Sequence, residues 1–393
     1  MVLILPFGMM SGYLTVAIAD LLKQAGVSVE VIGGLIAISI VPQTWKFLWA
    51  PVVDTTLGRK SWYMIGCALS ASGMWAMGAF PATQAGLAAL TAVVVVANVA
   101  VTFLGMAVES LMAYDAPDDK KGRASGWFQA GNLGGGGLGG GAGLWMAKNL
   151  PAPWMAGAVL ALVCLLCSIA LFFVEEPVVA DRYAKLSKRF LHVLVDLWNT
   201  SKSRMGALAL FLCFLPIGSG AASNLWAAVA VDWKASDKTV ELVTGVLGGL
   251  VSAAGCVVGG WLCDRMNRKA AYVLYGILQA LSAAAMAIAP HNETNFIVFT
   301  MLYAFITGLT YAGFSAVVLE AMGFGAAATK YNLFASLSNM PIAYMTSLDG
   351  WAHDRWNAST MLYAEALMGA VGLVLFLIVL AVMSMWTRPA ESD

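Results

Sequence analysis

Lys46, Glu109 and Glu320 each lie inside a run of apolar residues long enough to cross a bilayer. A charge at mid-bilayer costs ~2.5–3.5 kcal/mol even on the gentler insertion scale, so such residues are read first as functional. Lys46 precedes Asp54 by eight residues and Glu109 precedes Asp115 by six. At helical rise these offsets put them about 12 Å and about 9 Å into the membrane. Similar depth predicts a Lys46–Glu109 pair. Glu320 has no evident lysine partner, and an unpaired buried carboxylate can exchange a proton near neutrality. The chemistry these three could do is proton coupling or binding of a charged solute. The alternative is an ion pair that only holds helices together, with glutamates that snorkel to the surface.

Polar residues in the same apolar runs are candidates for lining a solute cavity. Asn98, Thr102, Gly105 and Glu109 follow 4-3-4 spacing and share one helical face. Tyr13, Gln43, Trp45, Gln129, Asn132, Asn224, Tyr303, Tyr311 and Asn339 are further candidates. For each of them a helix-packing hydrogen bond competes with solute contact. Asp20, Asp232 and Asp349 fall at the ends of runs and are expected to be solvated. The six cysteines lie in apolar blocks and include the CxxC pair Cys164 and Cys167; no second pair or nearby histidine accompanies it. His192, His291 and His353 are scattered, so neither a metal site nor a nucleophile–base arrangement is expected, and no cofactor.

The elements that must position these groups are membrane spans. Hydrophobic residues make up 60% of the 393 and charged residues 11%, against about 25% charged in soluble domains. Twelve blocks are long enough to span: Val2–Leu22, Val31–Val53, Trp62–Phe80, Leu87–Ala113, Ala124–Ala147, Trp154–Val174, Met205–Val231, Val240–Leu262, Ala270–Ala289, Phe296–Met322, Leu333–Leu348 and Met361–Trp386. The first has no small-residue cleavage site after it and reads as a retained span. With both termini on one side, only Lys23, Lys148, Lys234, Lys238 and Arg355 fall opposite, while Lys46 lies within a span. The remaining lysines and arginines crowd the termini side, which is therefore expected to be cytoplasmic. The zero net charge offers no face for nucleic acid. In Glu175–Arg204, Tyr183, Leu186, Phe190, Val193 and Leu197 recur at helical spacing. That pattern predicts an interfacial helix linking two halves, 1–174 and 205–393; the alternative is a solvated basic linker. Gly131–Gly143 is dense in glycine without the strand a phosphate loop requires, so it predicts close helix approach.

The halves repeat. Asp54 and Asp264 are 210 residues apart, as are Pro6-Phe7-Gly8 and Pro216-Ile217-Gly218, while Glu109 and Glu320 are 211 apart. Two parallel six-span repeats are the architecture of major facilitator carriers, whose site lies between the halves. Gly260-Trp261-Leu262-Cys263-Asp264-Arg265-Met266-Asn267-Arg268-Lys269 resembles that family's loop signature. The first-half copy, with Asp54, Arg59 and Lys60, departs from it at Ala50 and Thr55. The run Trp45-Lys46-Phe47-Leu48-Trp49-Ala50-Pro51-Val52-Val53-Asp54 resembles AmpG-type muropeptide permeases. Their relatives include the acetyl-coenzyme A transporter and siderophore importers. Ala25-Gly26-Val27-Ser28 is similar to the first loop of that group.

The resemblance implies an all-α, twelve-helix, two-bundle membrane protein that works by alternating access. It further implies proton-coupled uptake of a muropeptide, siderophore or acyl-coenzyme A-like solute across a bacterial inner membrane, with no enzymatic activity. The alternative is a proton-coupled exporter of amphipathic compounds. Asp54 with Arg59 and Lys60, and Asp264 with Arg265, Arg268 and Lys269, would act as cytoplasmic latches. The expected partners are a small organic solute, protons and the bilayer, and the chain is expected to act as a monomer.

Overall fold

A computed structural model describes residues 1–27, 29–80, 82–115, 117–176, 186–322 and 327–385, and among these every regular element is a helix. In chain order they are α1 (Leu5–Gly12), α2 (Ala19–Gln24), α3 (Val29–Trp45), α4 (Ala50–Thr55), α5 (Arg59–Ala79), α6 (Leu87–Asp115), α7 (Lys121–Gly137), α8 (Gly143–Asn149) and α9 (Trp154–Cys167). Then follow α10 (Leu186–Lys202), α11 (Arg204–Leu212), α12 (Trp226–Val229), α13 (Asp237–Leu242), α14 (Gly248–Cys263), α15 (Arg268–Ile288), α16 (Glu293–Met322), α17 (Ala327–Leu337), α18 (Asn339–Arg355) and α19 (Ala358–Met385). Helix is the form that satisfies its own backbone groups in lipid. Among the described residues seven stretches are long and apolar enough to cross a membrane, beginning at Val2, Leu87, Trp154, Lys238, Arg268, Glu293 and Ala358.

Several expected spans are interrupted, and each interruption has a local cause. The second tightens into a 3₁₀ turn at Lys46–Leu48, between Pro42 inside α3 and Pro51 at the start of α4. The seventh, expected as one helix over Met205–Val231, is instead broken between α11 and α12. Pro216 removes a backbone donor there, and Gly218 and Gly220 take φ values of 58° and 71°. Those angles fall in the left-handed region that glycine enters without strain. The eleventh runs further than Leu333–Leu348 and is divided at Ser338. Wider π turns at Tyr13–Ile18, Leu138–Ala142 and Val243–Leu247 interrupt three other spans, and they pack side by side.

Packing gathers residues Leu3 to Val174 around one apolar core containing Tyr13, Tyr63, Met74 and Leu104. Later residues form separate cores, one around Trp226, Trp233, Phe296 and Tyr303 and another around Ile217, Tyr272 and Phe376. Between these two sets, α7 lies directly on α14. A methyl at Gly126 would stand 2.5 Å from the Cys256 carbonyl oxygen, and one at Gly137 would stand 2.9 Å from the Gly249 Cα. The glycine run thus brings two backbones together. Its other face meets α1, where Gly135 packs on the Leu5 carbonyl.

α10 presents Leu191, Leu194, Val195 and Trp198 on one exposed face and ties Asp196 to the buried Lys330 at 2.9 Å. Tyr183, and the side chains of Leu186, Phe190 and Val193, lie outside the described residues.

Candidate functional site

Lys46 opens the 3₁₀ turn and its side chain is buried in the protein. Lys46 Nζ donates to Glu109 Oε1 at 2.9 Å, and each side chain is 4% exposed. The Phe7 ring centroid lies 5.9 Å from the ammonium. Glu109 Oε2 is buried without a donor. Two turns away on the same face of α6, Thr102 is fully buried and accepts a hydrogen bond from Trp49 Nε1 at 3.0 Å. Asn98, also buried, donates to the Val94 carbonyl. The 4-3-4 face therefore points inward, and α17 packs against the turn and against α6 beside it.

Glu320 differs from expectation. It is 37% exposed and paired with Arg268 at 3.2 Å and Lys269 at 4.0 Å, both from the start of α15. It lies near enough to the end of α16 for water and for basic residues of the next helix to reach it. The expectation of a buried, unpartnered carboxylate is thus corrected.

The buried acid of the later residues is elsewhere. Asp349 on α18, expected to be solvated, is fully buried, and Glu365 on α19 is 5% exposed. Tyr303 OH donates to Glu365 Oε1 at 2.8 Å, and Ser219 Oγ donates to the same atom at 3.2 Å. Glu365 escaped sequence reading because it sits within an apolar run that begins at Met361, with no motif around it. The signal that could have found it is the same as for Glu109, a lone carboxylate inside a span. Asp20 and Asp232 do lie near water, paired with Lys148 at 3.3 Å and His353 at 2.8 Å.

The end of the bundle carrying Arg59, Arg123, Arg265 and Lys330, hereafter the basic end, is drawn shut. Asp264 Oδ1 accepts from Gly122 N at 2.7 Å, and Oδ2 accepts from Arg123 N and Nε at 3.0 and 2.9 Å. A carboxylate at the start of α7 meets both free backbone donors and the positive end of the helix dipole. Ser125 Oγ donates to the Ala312 carbonyl and Gln129 Nε2 to Ser315 Oγ, both at 2.7 Å; Asn132 in turn donates to Gln129. Tyr331 also reaches Ser315 and stands edge-on to Phe128.

The expected latch partners of Asp264 are corrected by this arrangement. Arg265 stacks on Trp261 at 3.7 Å, while Arg268 and Lys269 hold Glu320. In the first-half copy, buried Arg59 donates to Ser110 Oγ at 3.1 Å and Lys60 is partly exposed; the Asp54 side chain lies outside the described residues.

The remaining candidates are dispersed. Tyr13 is sealed in the first core, against Gly143. Gln43 is partly exposed and Trp45 is 57% exposed. Asn224 donates to Thr346 and Asn339 to the Ala335 carbonyl. Tyr311 lies partly exposed near Gly220. Cys164 of the CxxC pair faces Cys67 on α5, Sγ to Sγ 3.7 Å, and all six cysteines are free and buried.

Long apolar helices in glycine-mediated contact, with a charge pair held dry inside and a polar seal at one end, define a multi-pass membrane carrier. The Major Facilitator Superfamily profile matches residues 1–344, and the chain belongs to that superfamily, which makes it a transporter rather than an enzyme. It is 24% identical over 360 residues to the anhydromuropeptide permease of Escherichia coli (strain K12), spanning 86% of this chain and 71% of that protein. Its fold is similar to that of the proton:xylose symporter XylE, with a TM-score of 0.71 at 13% identity, covering 96% of this chain and 94% of that one. FucP in the outward conformation is similar with a TM-score of 0.69 at 16% identity, covering 96% and 99%.

Proposed function

We propose that the chain imports an anionic organic solute of the anhydromuropeptide class across a bacterial inner membrane, driven by protons. In this reading it is a monomer of two six-span halves, residues 1–174 and 205–393, joined by residues 175–204, and both termini are cytoplasmic. The observation that carries the reading is the dry pair that Lys46, inside the Trp45–Asp54 run, makes with Glu109 of α6. Parting that pair would free the Lys46 ammonium to take a solute carboxylate. The substrate for which the Escherichia coli relative is named supports the solute class, and the proton coupling for which XylE is named supports the driving ion. Positive-inside charge makes the basic end cytoplasmic, and its closure matches a carrier waiting to load from outside.

Counterflow in proteoliposomes tests the solute, with labelled anhydromuropeptide set against siderophores and coenzyme A esters. An imposed inward acid gradient tests the coupling. Anhydromuropeptide should exchange in preference and accumulate uphill. Preferred exchange of another of these solutes sinks the solute class, and gradient-driven efflux of amphipathic compounds sinks the direction.

A further inference from the structure

Asp349 and Glu365 come from neighbouring helices and lie at one depth. Glu365 is seven residues into α19 and Asp349 is six from the end of α18, which puts each about 10 Å from the end opposite the basic one. α18 packs along α19, and the two buried carboxyls are neighbours. Among the described residues neither has a lysine, arginine or histidine in an ion pair, and no donor meets either Asp349 oxygen or Glu365 Oε2. The groups that face them are neutral: Ser219 from the break before α12, Tyr303 from α16, and Gln279 from α15 beside the Tyr303 hydroxyl; Tyr344 of α18 gives its hydroxyl to the Phe214 carbonyl instead. Gln279 is 2% exposed and its Oε1 is a further buried acceptor without a donor. The nearest imidazole on α18, His353, is turned to Asp232 instead.

Two carboxylates in contact and out of water cannot both stay ionised, because like charges at that range raise the cost of the second. One proton resolves the arrangement. It turns one oxygen into a donor toward the facing carboxylate and leaves the pair with a single negative charge. We propose that Asp349 and Glu365 share one proton and form the coupling site of this carrier, with Tyr303 and Ser219 orienting Glu365.

Loading forms an O–H bond with a proton from water on the side opposite the basic end, and unloading breaks that bond toward water on the other side. The readout is built into the backbone. Ser219 stands between Gly218 and Gly220, the two left-handed residues that break the seventh span, and its hydroxyl holds Glu365. A change of charge on the dyad therefore acts directly on the pivot of that span.

The proposal rests on the proton-driven reading above, and the test separates the two. Purified Asp349→Asn, Glu365→Gln and the double variant are compared with wild type in anhydromuropeptide counterflow, in uptake under a proton gradient, and by infrared spectroscopy. Wild type should show the C=O band of a protonated carboxylic acid, and that band should be lost from the double variant. Both single variants should keep counterflow and lose uphill accumulation.

Uphill accumulation by either single variant, or a band that survives in the double variant, overturns the dyad while leaving the transport reading standing. A wild type that exchanges solute but accumulates nothing under a proton gradient overturns the coupling reading and the dyad's role with it. A wild type driven by sodium, whose melting temperature sodium raises only while Asp349 and Glu365 are present, replaces the proton with a metal cation and overturns the proposal.

Discussion

Asp264, at the end of α14, accepts two hydrogen bonds from Arg123 at the start of α7, one from the backbone at 3.0 Å and one from the guanidinium at 2.9 Å. Asp264 is 7% exposed while Arg123 is 50% exposed. The sheltered backbone bonds from Gly122 and Arg123 therefore carry more of the tie than the screened ion pair does. Phe128 of α7 belongs to the first core, while Cys263 of α14 packs with Tyr275 of α15 and Leu309 of α16, so this contact joins the two sets of helices at the basic end.

Asp264→Ala removes the acceptor and leaves both backbone donors of α7 unmet. Hydrogen bonds to charged groups are worth about 1.5–3 kcal/mol, enough to shift a two-state population by roughly tenfold or more. Spin-label distances across the basic end should lengthen, and transport should slow while solute affinity in counterflow stays within a few fold. If affinity alone fell and the distances were unchanged, Asp264 would not be a latch.

Gly126 tests the same closure through packing instead of charge. A valine there must displace the Cys256 carbonyl, which lies in helical backbone and has little room to yield. Overpacking of this kind costs about 1–3 kcal/mol. Because the strain exists only while α7 and α14 are in contact, the expected result is a population open at the basic end in a protein that still folds. Cysteine cross-linking across that end should fall in Gly126→Val. Undiminished cross-linking would show that the helices accommodate the methyls without separating.

Lys46 and Glu109 form a buried pair, so removing one charge leaves the other uncompensated. That costs about 3–5 kcal/mol, whereas removing both is close to neutral. Lys46→Met and Glu109→Gln should each lower the melting temperature, and the double variant should recover most of the loss. Transport should not recover with it if the ammonium is what takes the solute. Recovery of both would reduce the pair to a structural brace.

How far this arrangement was legible in the sequence depended on the kind of signal. The Lys46–Glu109 contact could be read because both residues count back to a polar boundary, which gives depth, and depth limits the available partners. The same counting failed at Glu320. Arg268 and Lys269 reach it from the next helix, and linear depth does not say how far a neighbouring side chain extends. Asp349 failed in the opposite direction. It lies at the end of an apolar run, yet α18 continues past that run to Arg355, which carries the carboxylate inside. The break at Pro216–Gly220 was written in the sequence as a proline and two glycines. Hydropathy averaged over a window hides such a break, since proline and glycine do not interrupt apolarity.

The last prediction concerns pH at the end opposite the basic one. His353 lies beyond the apolar stretch of its helix, with Nε2 2.8 Å from Asp232 and Nδ1 3.1 Å from Asp354. Partial burial pulls the imidazole pKa down, but the two carboxylates outweigh it and raise the pKa above its ordinary value. A raised folded-state pKa means that protonation favours the folded, tied state. The stabilisation is complete below about pH 6.5, the ordinary histidine value, and is lost as pH rises through the raised folded value. Asp354 is 87% exposed, so Asp232 is the partner that matters. The melting temperature of wild type should therefore fall as pH rises through that window, apart from any slope shared with the variants. In Asp232→Asn the imidazole loses its principal counter-charge, so the melting temperature in acid should drop toward the value seen in mild alkali and this step should flatten. A step of equal size in Asp232→Asn would assign the pH dependence to another group.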